Sequence, residues 1–384
     1  MFERRLDLSL SSEETCFLWG PRQTGKSTLL KTRFPNAIIY DLLLSDQYRR
    51  FVADPSILRQ ECEARGLNRG NQKDPIIIDE VQKVPELLDE IHWLIENRGL
   101  RFILCGSSPR KVKRSHANLL GGRGVRYELF PLVYPEVPGF SLLKALNSGL
   151  LPRHYLGKSP AKLLEAYLVN YLKEEIAAEA VTRNIPAFNR FFEVAALCNG
   201  EMINFNNIAG DCGVSAPTVK GYFQILEDTL IGRFVPAFRK RAKRRLIQAP
   251  RFIFFDMGIV AHLTRRGEVK EGSELFGRAF EHFITLEVFA HSSYSELNYP
   301  VAYWRTASQL EVDLVLDDAA AIEIKSTDRA ADKHLRGLRA FKEEHKCNCI
   351  LVSRDPAPRK TSDGILILPW QDFLERLWSN EIIK

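Results

Sequence analysis

The amino-acid sequence predicts an α/β chain of three domains, and three patterns predict it. Short apolar runs without polar alternation, separated by helix-like stretches, fill residues 1–138. Apolar residues then recur mainly at helical spacing over 139–270, and a long amphipathic helix followed by alternating strands occupies 271–384. With 384 residues, 45% of them hydrophobic, the chain has the material for more than one core.

The totals narrow the function classes. Met1 to Leu10 carries Glu3, Arg4, Arg5 and Asp7 and so does not read as a secretory leader, and no long uncharged apolar run is present for a membrane span. A cytoplasmic protein without a membrane partner is expected. Seven cysteines are scattered and odd in number, and Cys347 with Cys349 lacks a second pair at zinc-site spacing, so reduced, buried thiols are expected. The net charge of +6 is mild, but Arg239, Lys240, Arg241, Lys243, Arg244 and Arg245 fall within seven positions.

In the first domain, the apolar runs Cys16 to Trp19, Ala37 to Tyr40, Ile76 to Ile78 and Phe102 to Cys105 read as strands of a covered parallel sheet. Lys26 to Thr32, Ser56 to Arg65 and Glu86 to Asn97 read as the helices between them. Ligands of such sheets sit at the carboxyl ends of the strands. The first strand ends in Gly20-Pro21-Arg22-Gln23-Thr24-Gly25-Lys26-Ser27 followed by Thr28, which fits the phosphate-binding P-loop. Its glycines free the backbone so that amides and the helix N-terminus can face phosphate oxygens. Lys26 then reaches the β- and γ-phosphates, and Ser27 is placed to ligate magnesium.

The third run ends in Asp79-Glu80, the Walker B pattern: Asp79 to hold magnesium through water, Glu80 to orient and deprotonate the attacking water. The fourth ends in Gly106-Ser107-Ser108. Ser107 is the first choice and Ser108 the second for a side chain sensing the γ-phosphate; the alternative is a hydroxyl capping a helix that starts near Arg110. Arg123, on the turn Gly121-Gly122-Arg123-Gly124, reads either as an arginine finger or as a solvated turn residue. As a finger it acts in its own subunit or across the interface of a homo-oligomer.

With these residues in view, the chain resembles a group of prokaryotic AAA+ superfamily ATPases that carry a C-terminal domain of unknown function. The resemblance rests on the P-loop, on Ile77 to Pro85 (Ile-Ile-Asp-Glu-Val-Gln-Lys-Val-Pro), on Gly106-Ser107-Ser108, on Gly122-Arg123 and on Glu128 to Leu132. It implies ATP as the nucleotide and a prokaryotic cytoplasm; Mg2+ is expected from Ser27 and Asp79.

In the middle domain, Ser141 to Gly157 reads as connection and short helix, and Leu164, Tyr167, Leu168, Tyr171 and Leu172 mark a helix. Phe205 to Val214 and then Ser215 to Glu227 have the outline of a helix-turn-helix, with Ser215 as cap and Val219, Tyr222, Phe223 and Leu226 as the buried stripe. Thr218, Lys220 and Gln224 then lie on the exposed face. Leu230 to Ala237 and Arg251 to Phe255 read as the two strands of a wing, with the cationic run between them. A winged helix with a basic wing is a binder of double-stranded DNA. The other reading is a helical domain for protein contacts whose cations only solvate a loop.

In the third domain, Gly277 to Val288 reads as an amphipathic helix carrying Glu281. Strands follow at Val301 to Arg305, Leu310 to Leu316 and Ala320 to Ser326, then a helix from Asp332 to Glu344 and a strand at Asn348 to Val352. Asp313 breaks one apolar strand, and Glu323 and Lys325 share a face of the next. Two carboxylates and a lysine so placed can bind magnesium, position a water and steady phosphoryl charge, with Glu281 as a further ligand. This order of elements resembles the PD-(D/E)xK nuclease core of many restriction and repair endonucleases. Asp313 would take its first acidic position and Glu323-Ile324-Lys325 its acid-x-lysine signature. Val312 stands where the family name has proline. The alternative is a Glu–Lys pair on an exposed sheet face.

The expectation is thus a P-loop parallel-sheet ATPase domain, a helical winged-helix-like middle domain and a C-terminal restriction-endonuclease-like α/β domain. Together they read as an ATP-controlled DNA-processing enzyme, or as an ATP-driven switch or scaffold that binds DNA or protein without cleaving.

Overall fold

The computed structural model describes residues 2–110, 120, 124–168, 184–239 and 246–384. The chain divides into two compact units. One takes in Leu6–Phe130 with Asp228–Ile231; the other takes in Pro131–Glu227 and Gly232–Lys384 with the first few residues.

The first unit holds a sheet of β1 (Cys16–Trp19), β2 (Ile39–Asp41), β3 (Ile76–Asp79), β4 (Phe102–Gly106) and β5 (Val125–Glu128), in the order β2-β3-β4-β1-β5. All four pairings are parallel. Every residue of β1, β3 and β4 is buried, which explains why these runs lack polar alternation. Helices α1 (Lys26–Arg33), α2 (Ser45–Ala53), α3 (Ile57–Ala64) and α4 (Leu87–Arg98) connect them. Phe51, Leu58, Leu88 and Ile91 from three of these helices close the core over Ile76, Ile78, Phe102 and Leu104. The α2 helix and β5 were absent from the sequence reading. Four residues of β5 carry too little pattern, and its strand character comes from pairing with β1 in the register Phe17↔Arg126 and Leu18↔Tyr127.

The second unit contains helices α5 (Leu142–Ser148), α6 (Pro152–Leu156), α7 (Pro160–Tyr167), α8 (Ile185–Leu197), α9 (Phe205–Cys212) and α10 (Ala216–Asp228). Asn204 caps α9 by accepting from the Asn206 and Asn207 amides, and Gly213 ends it at φ +66°, where glycine carries no steric cost. Two antiparallel strands follow, β6 (Gly232–Val235) and β7 (Arg251–Phe254). Phe223 of α10 packs on Phe252 of β7 with ring centroids 4.9 Å apart, joining the helices to this ribbon.

After α11 (Met257–Leu263), the long helix α12 (Glu274–Tyr294) leads to a six-stranded sheet. Its strands are β8 (Val301–Arg305), β9 (Glu311–Leu316), β10 (Ala320–Ile324), β11 (Asn348–Ser353), β12 (Arg359–Lys360) and β13 (Leu366–Pro369), ordered β12-β13-β11-β10-β9-β8. The hairpin of β9 and β10 is antiparallel, whereas β10 and β11 run parallel through α13 (Arg336–Lys342). The last two strands and α14 (Trp370–Trp378) extend the fold beyond the elements read from sequence. Among the described residues, no helix is long and apolar enough to cross a membrane.

Candidate functional sites

At the carboxyl edge of the first sheet, the loop between β1 and α1 is built by backbone needs. Gly25 takes φ +96°, and a Cβ on Gly20 would meet the Leu129 carbonyl oxygen at 2.5 Å. Thr24 Oγ1 donates to the Pro21 carbonyl at 2.8 Å and closes the turn. Lys26, 6% exposed, folds back so that its Nζ donates to the carbonyls of Gly20 at 2.6 Å and Pro21 at 3.1 Å. Pro21 and Thr24 are buried, Arg22 half-buried, and Gln23 and Thr28 exposed.

Ser27 and Asp79 lie far apart in sequence, yet Ser27 Oγ donates to Asp79 Oδ2 at 2.6 Å. A hydroxyl and a carboxylate side by side are hard oxygen donors that suit magnesium. Glu80 is buried and sits in the left-handed region at φ +59°, a strained conformation for glutamate. Gln82 Nε2 donates to Glu80 Oε2 and, at 3.0 Å, to Ser107 Oγ. Gln82 therefore ties the end of β3 to the end of β4. The sequence reading did not single it out, because its burial and its partner on the next strand are set by packing. Gly106 makes room for it, since a Cβ there would lie 2.2 Å from Gln82 Oε1. Ser108 instead accepts from the Arg110 amide at 3.1 Å, a capping arrangement. Arg123 lies outside the described residues.

A second cluster forms in the other unit. Asp313 on β9 and Glu323 on β10 are 5% and 7% exposed. The antiparallel register ends at Ile322↔Leu314, so one further step brings Asp313 opposite Glu323. Asp313 Oδ2 accepts from the Ile324 amide at 2.8 Å. Lys325 Nζ stands 2.6 Å from Glu323 Oε1 and 3.5 Å from Asp313 Oδ2. Burial pushes the Glu323 carboxyl well up, and the charge of Asp313 adds to it. Burial works to lower the Lys325 ammonium, but Asp313 and Glu323 outweigh it and hold it above the ordinary lysine range.

Glu281, from α12, belongs to the same electrostatic cluster; its carboxyl is raised by burial and then by Asp313. It is also paired with Arg251 of β7 at 3.5 Å. That arginine contacts Glu311, which in turn pairs with Arg305 at 3.1 Å. Arg251 and Glu311 were not found from sequence, because partners on separate elements have no spacing to read. Together the cluster sets four carboxylates against three cations. Glu323 Oε2 is buried without a hydrogen-bond partner, so an oxygen is free for a further cation. Among the described residues, however, no three His, Cys, Asp or Glu side chains stand as an assembled metal site.

On α10, Lys220 and Gln224 are exposed and Thr218 is half-buried. Thr218 meets Ser215 Oγ at 2.8 Å, and Lys220 Nζ lies 5.3 Å over the Phe205 ring. Of the cationic run between β6 and β7, Arg239 is described and exposed; Lys240, Arg241, Lys243, Arg244 and Arg245 lie outside the described residues.

Residues 12–137 match a family model described as an AAA domain, so this part of the chain is an AAA-type, P-loop ATPase-like domain. Residues 140–270 and 276–373 match two models described as domains of unknown function, DUF8612 and DUF4143. No curated protein matches the chain. Among solved structures, the chain is similar to the Walker-type ATPase PABY2304 of Pyrococcus abyssi, at 14% identity over 68% of this chain and 96% of that one, with a TM-score of 0.47. It is also similar to PH0952 of Pyrococcus horikoshii, a signal transduction ATPase with numerous domains (STAND) and a tetratricopeptide repeat sensor. That likeness is at 14% identity over 78% of this chain and 50% of that one, with a TM-score of 0.23.

Proposed function

We propose that this chain binds and hydrolyses ATP with Mg2+ at the P-loop site, and that its nucleotide state governs a C-terminal module that binds or cleaves DNA. The observation that carries the first part is the 2.6 Å contact of Ser27 Oγ with Asp79 Oδ2 beside the buried Lys26. Ser27 and Asp79 would hold magnesium there, and it would supply positive charge to offset that of the phosphates. The chain's own residues do the rest. Lys26 exchanges two neutral carbonyl partners for phosphate oxygens, the loop amides and the start of α1 cradle the phosphate, and Glu80 orients a water and takes its proton. Gln82 holds Glu80 and Ser107 in one hydrogen-bonded line, so Ser107 is the sensing residue of this reading.

The DNA part rests on the cationic run that follows β6 and on Asp313, Glu323 and Lys325, with Glu281 nearby. Asp313 and Glu323 would hold a divalent cation that polarises a phosphodiester, and Lys325 would steady the charge that develops on it. A second reading, an ATP-driven switch or scaffold that binds without cleaving, is favoured by the pairing of Lys325 with both carboxylates.

Two assays test the proposal. Lys26→Ala should abolish ATP binding and turnover, and a variant with unchanged ATPase activity would remove the first part. Supercoiled plasmid and linear duplex should be cut with Mg2+ or Mn2+, and Asp313→Ala should stop the cutting. DNA bound but left intact under all conditions selects the switch or scaffold reading.

A further inference from the structure

Arg251 enters the carboxylate cluster from β7, an element outside the β9–β10 hairpin that carries Asp313 and Glu323. Its side chain is 8% exposed, and its guanidinium lies 4.5 Å over the Tyr303 ring, between Glu281 and Glu311. The Nε is buried without a partner, and the guanidinium donates its hydrogen bonds to the two carboxylates.

The two carboxylates are not equivalent. Glu311 has a second cation in Arg305, at 3.1 Å. Glu281 is paired with Arg251 while lying within electrostatic reach of Asp313 and Lys325. If Arg251 withdraws, Glu311 keeps a counter-ion and Glu281 is the residue set free. A hard divalent cation takes oxygen donors, and its affinity grows with their number and charge. Asp313 and Glu323 provide two such residues, and Glu281 is the third carboxylate at hand.

We propose that Arg251 is a positioning residue that withholds Glu281 from the Asp313–Glu323 pair, so that the cluster becomes a three-carboxylate cation site only when this guanidinium gives Glu281 up. The inference rests on the cation-binding reading of that cluster. It gives the ribbon strand β7 a role in controlling the cluster, since the withholding group is carried on it.

The test is Mn2+ alone, titrated into the full chain and followed by electron paramagnetic resonance. Asp79→Asn is present throughout to take away the carboxylate charge beside Ser27 and so weaken Mn2+ binding at the P-loop. Arg251→Met should tighten Mn2+ binding about tenfold, because a charged ligand is released to the ion. Adding Glu281→Gln to Arg251→Met should reverse that gain, whereas Glu281→Gln alone should change Mn2+ affinity less than about twofold. Asp313→Asn should abolish binding in every background.

If Arg251→Met leaves the affinity unchanged while Asp313→Asn abolishes it, the withholding role is wrong and the cation site stands. If Asp313→Asn has no effect in any background, the cation reading itself fails and the role of Arg251 falls with it. Should Arg251→Met not fold, Glu281→Gln alone still decides: a tenfold loss of Mn2+ affinity would show that Glu281 already ligates and would overturn the proposal.

Discussion

Each unit holds a lysine beside acidic residues, Lys26 buried and Lys325 half-buried, and the two are held by different chemistry. Lys26 is bonded to two backbone carbonyls, whereas Lys325 is paired with two carboxylates. A carbonyl is a neutral acceptor that an ammonium leaves cheaply when a phosphate arrives. A buried carboxylate is costly to abandon, because it is left as an uncompensated charge. The first site is therefore poised for an anionic ligand, while the second neutralises itself and must exchange partners before it can take one.

The comparison can be broken most directly at Glu80. Glu80→Gln should keep ATP binding and lower turnover roughly 100- to 1000-fold, since it removes the proposed base but not the proposed phosphate cradle. Hydrolysis that survives this change places the base elsewhere. Removing the two lysines should affect stability unequally. Lys325→Met should cost roughly 2–4 kcal/mol by stranding Asp313 and Glu323, and Lys26→Ala no more than about 1 kcal/mol. Equal losses by denaturant unfolding would erase the distinction.

Acid should also separate the units. Burial lowers His154 and His282, both in the second unit, from the ordinary 6.5 to about 4. His154 is fully buried and neither of its ring nitrogens has a partner, while His282 Nε2 contacts the Phe254 carbonyl at 2.7 Å. The unfolded chain thus takes up protons before the folded one does. The stability these two groups contribute is intact above about pH 6.5 and falls as pH drops towards 4, by up to roughly 3 kcal/mol for each group, while the raised carboxyls of Glu281 and Glu323 act in the opposite direction. His154→Leu should flatten that slope for the second unit in thermal unfolding between pH 7 and 4; an unchanged slope would mean His154 takes up its proton without opening the fold. The smallest effect on the first site is expected from replacing Arg239, Lys240, Arg241, Lys243, Arg244 and Arg245 with serine. ATPase activity should hold while the salt dependence of DNA affinity falls by about 0.9 in log–log slope for each phosphate that the chain no longer neutralises. An unaltered slope would remove the basic run from any role in DNA binding.

Much of the first sheet was legible because buried parallel strands are continuous apolar runs, as in Ile76-Ile77-Ile78. Its phosphate loop was legible because its backbone needs glycine at fixed places, as at Gly25. In the second unit, the β9–β10 hairpin and the grouping of Asp313, Glu323 and Lys325 could be read from alternation. The edge strand β5, helix α2, the Gln82 link and the Arg251 pairing could not. Val125–Glu128 is a strand because of the neighbour it pairs with, and Arg251 is a counter-ion because of where β7 passes.

The sequence by itself determined the local devices: which loop can wrap a phosphate, which strand ends in carboxylates, and which acid and base share a strand face. These depend on backbone freedom and on side-chain periods of two and 3.6, both written in consecutive residues. Only the tertiary structure decided who neutralises whom. Ser27 with Asp79, Gln82 with Ser107 and Arg251 with Glu281 are partnerships between separate elements. Coulombic and hydrogen-bond energies depend on distance in space, and chain packing rather than spacing along the sequence sets that distance.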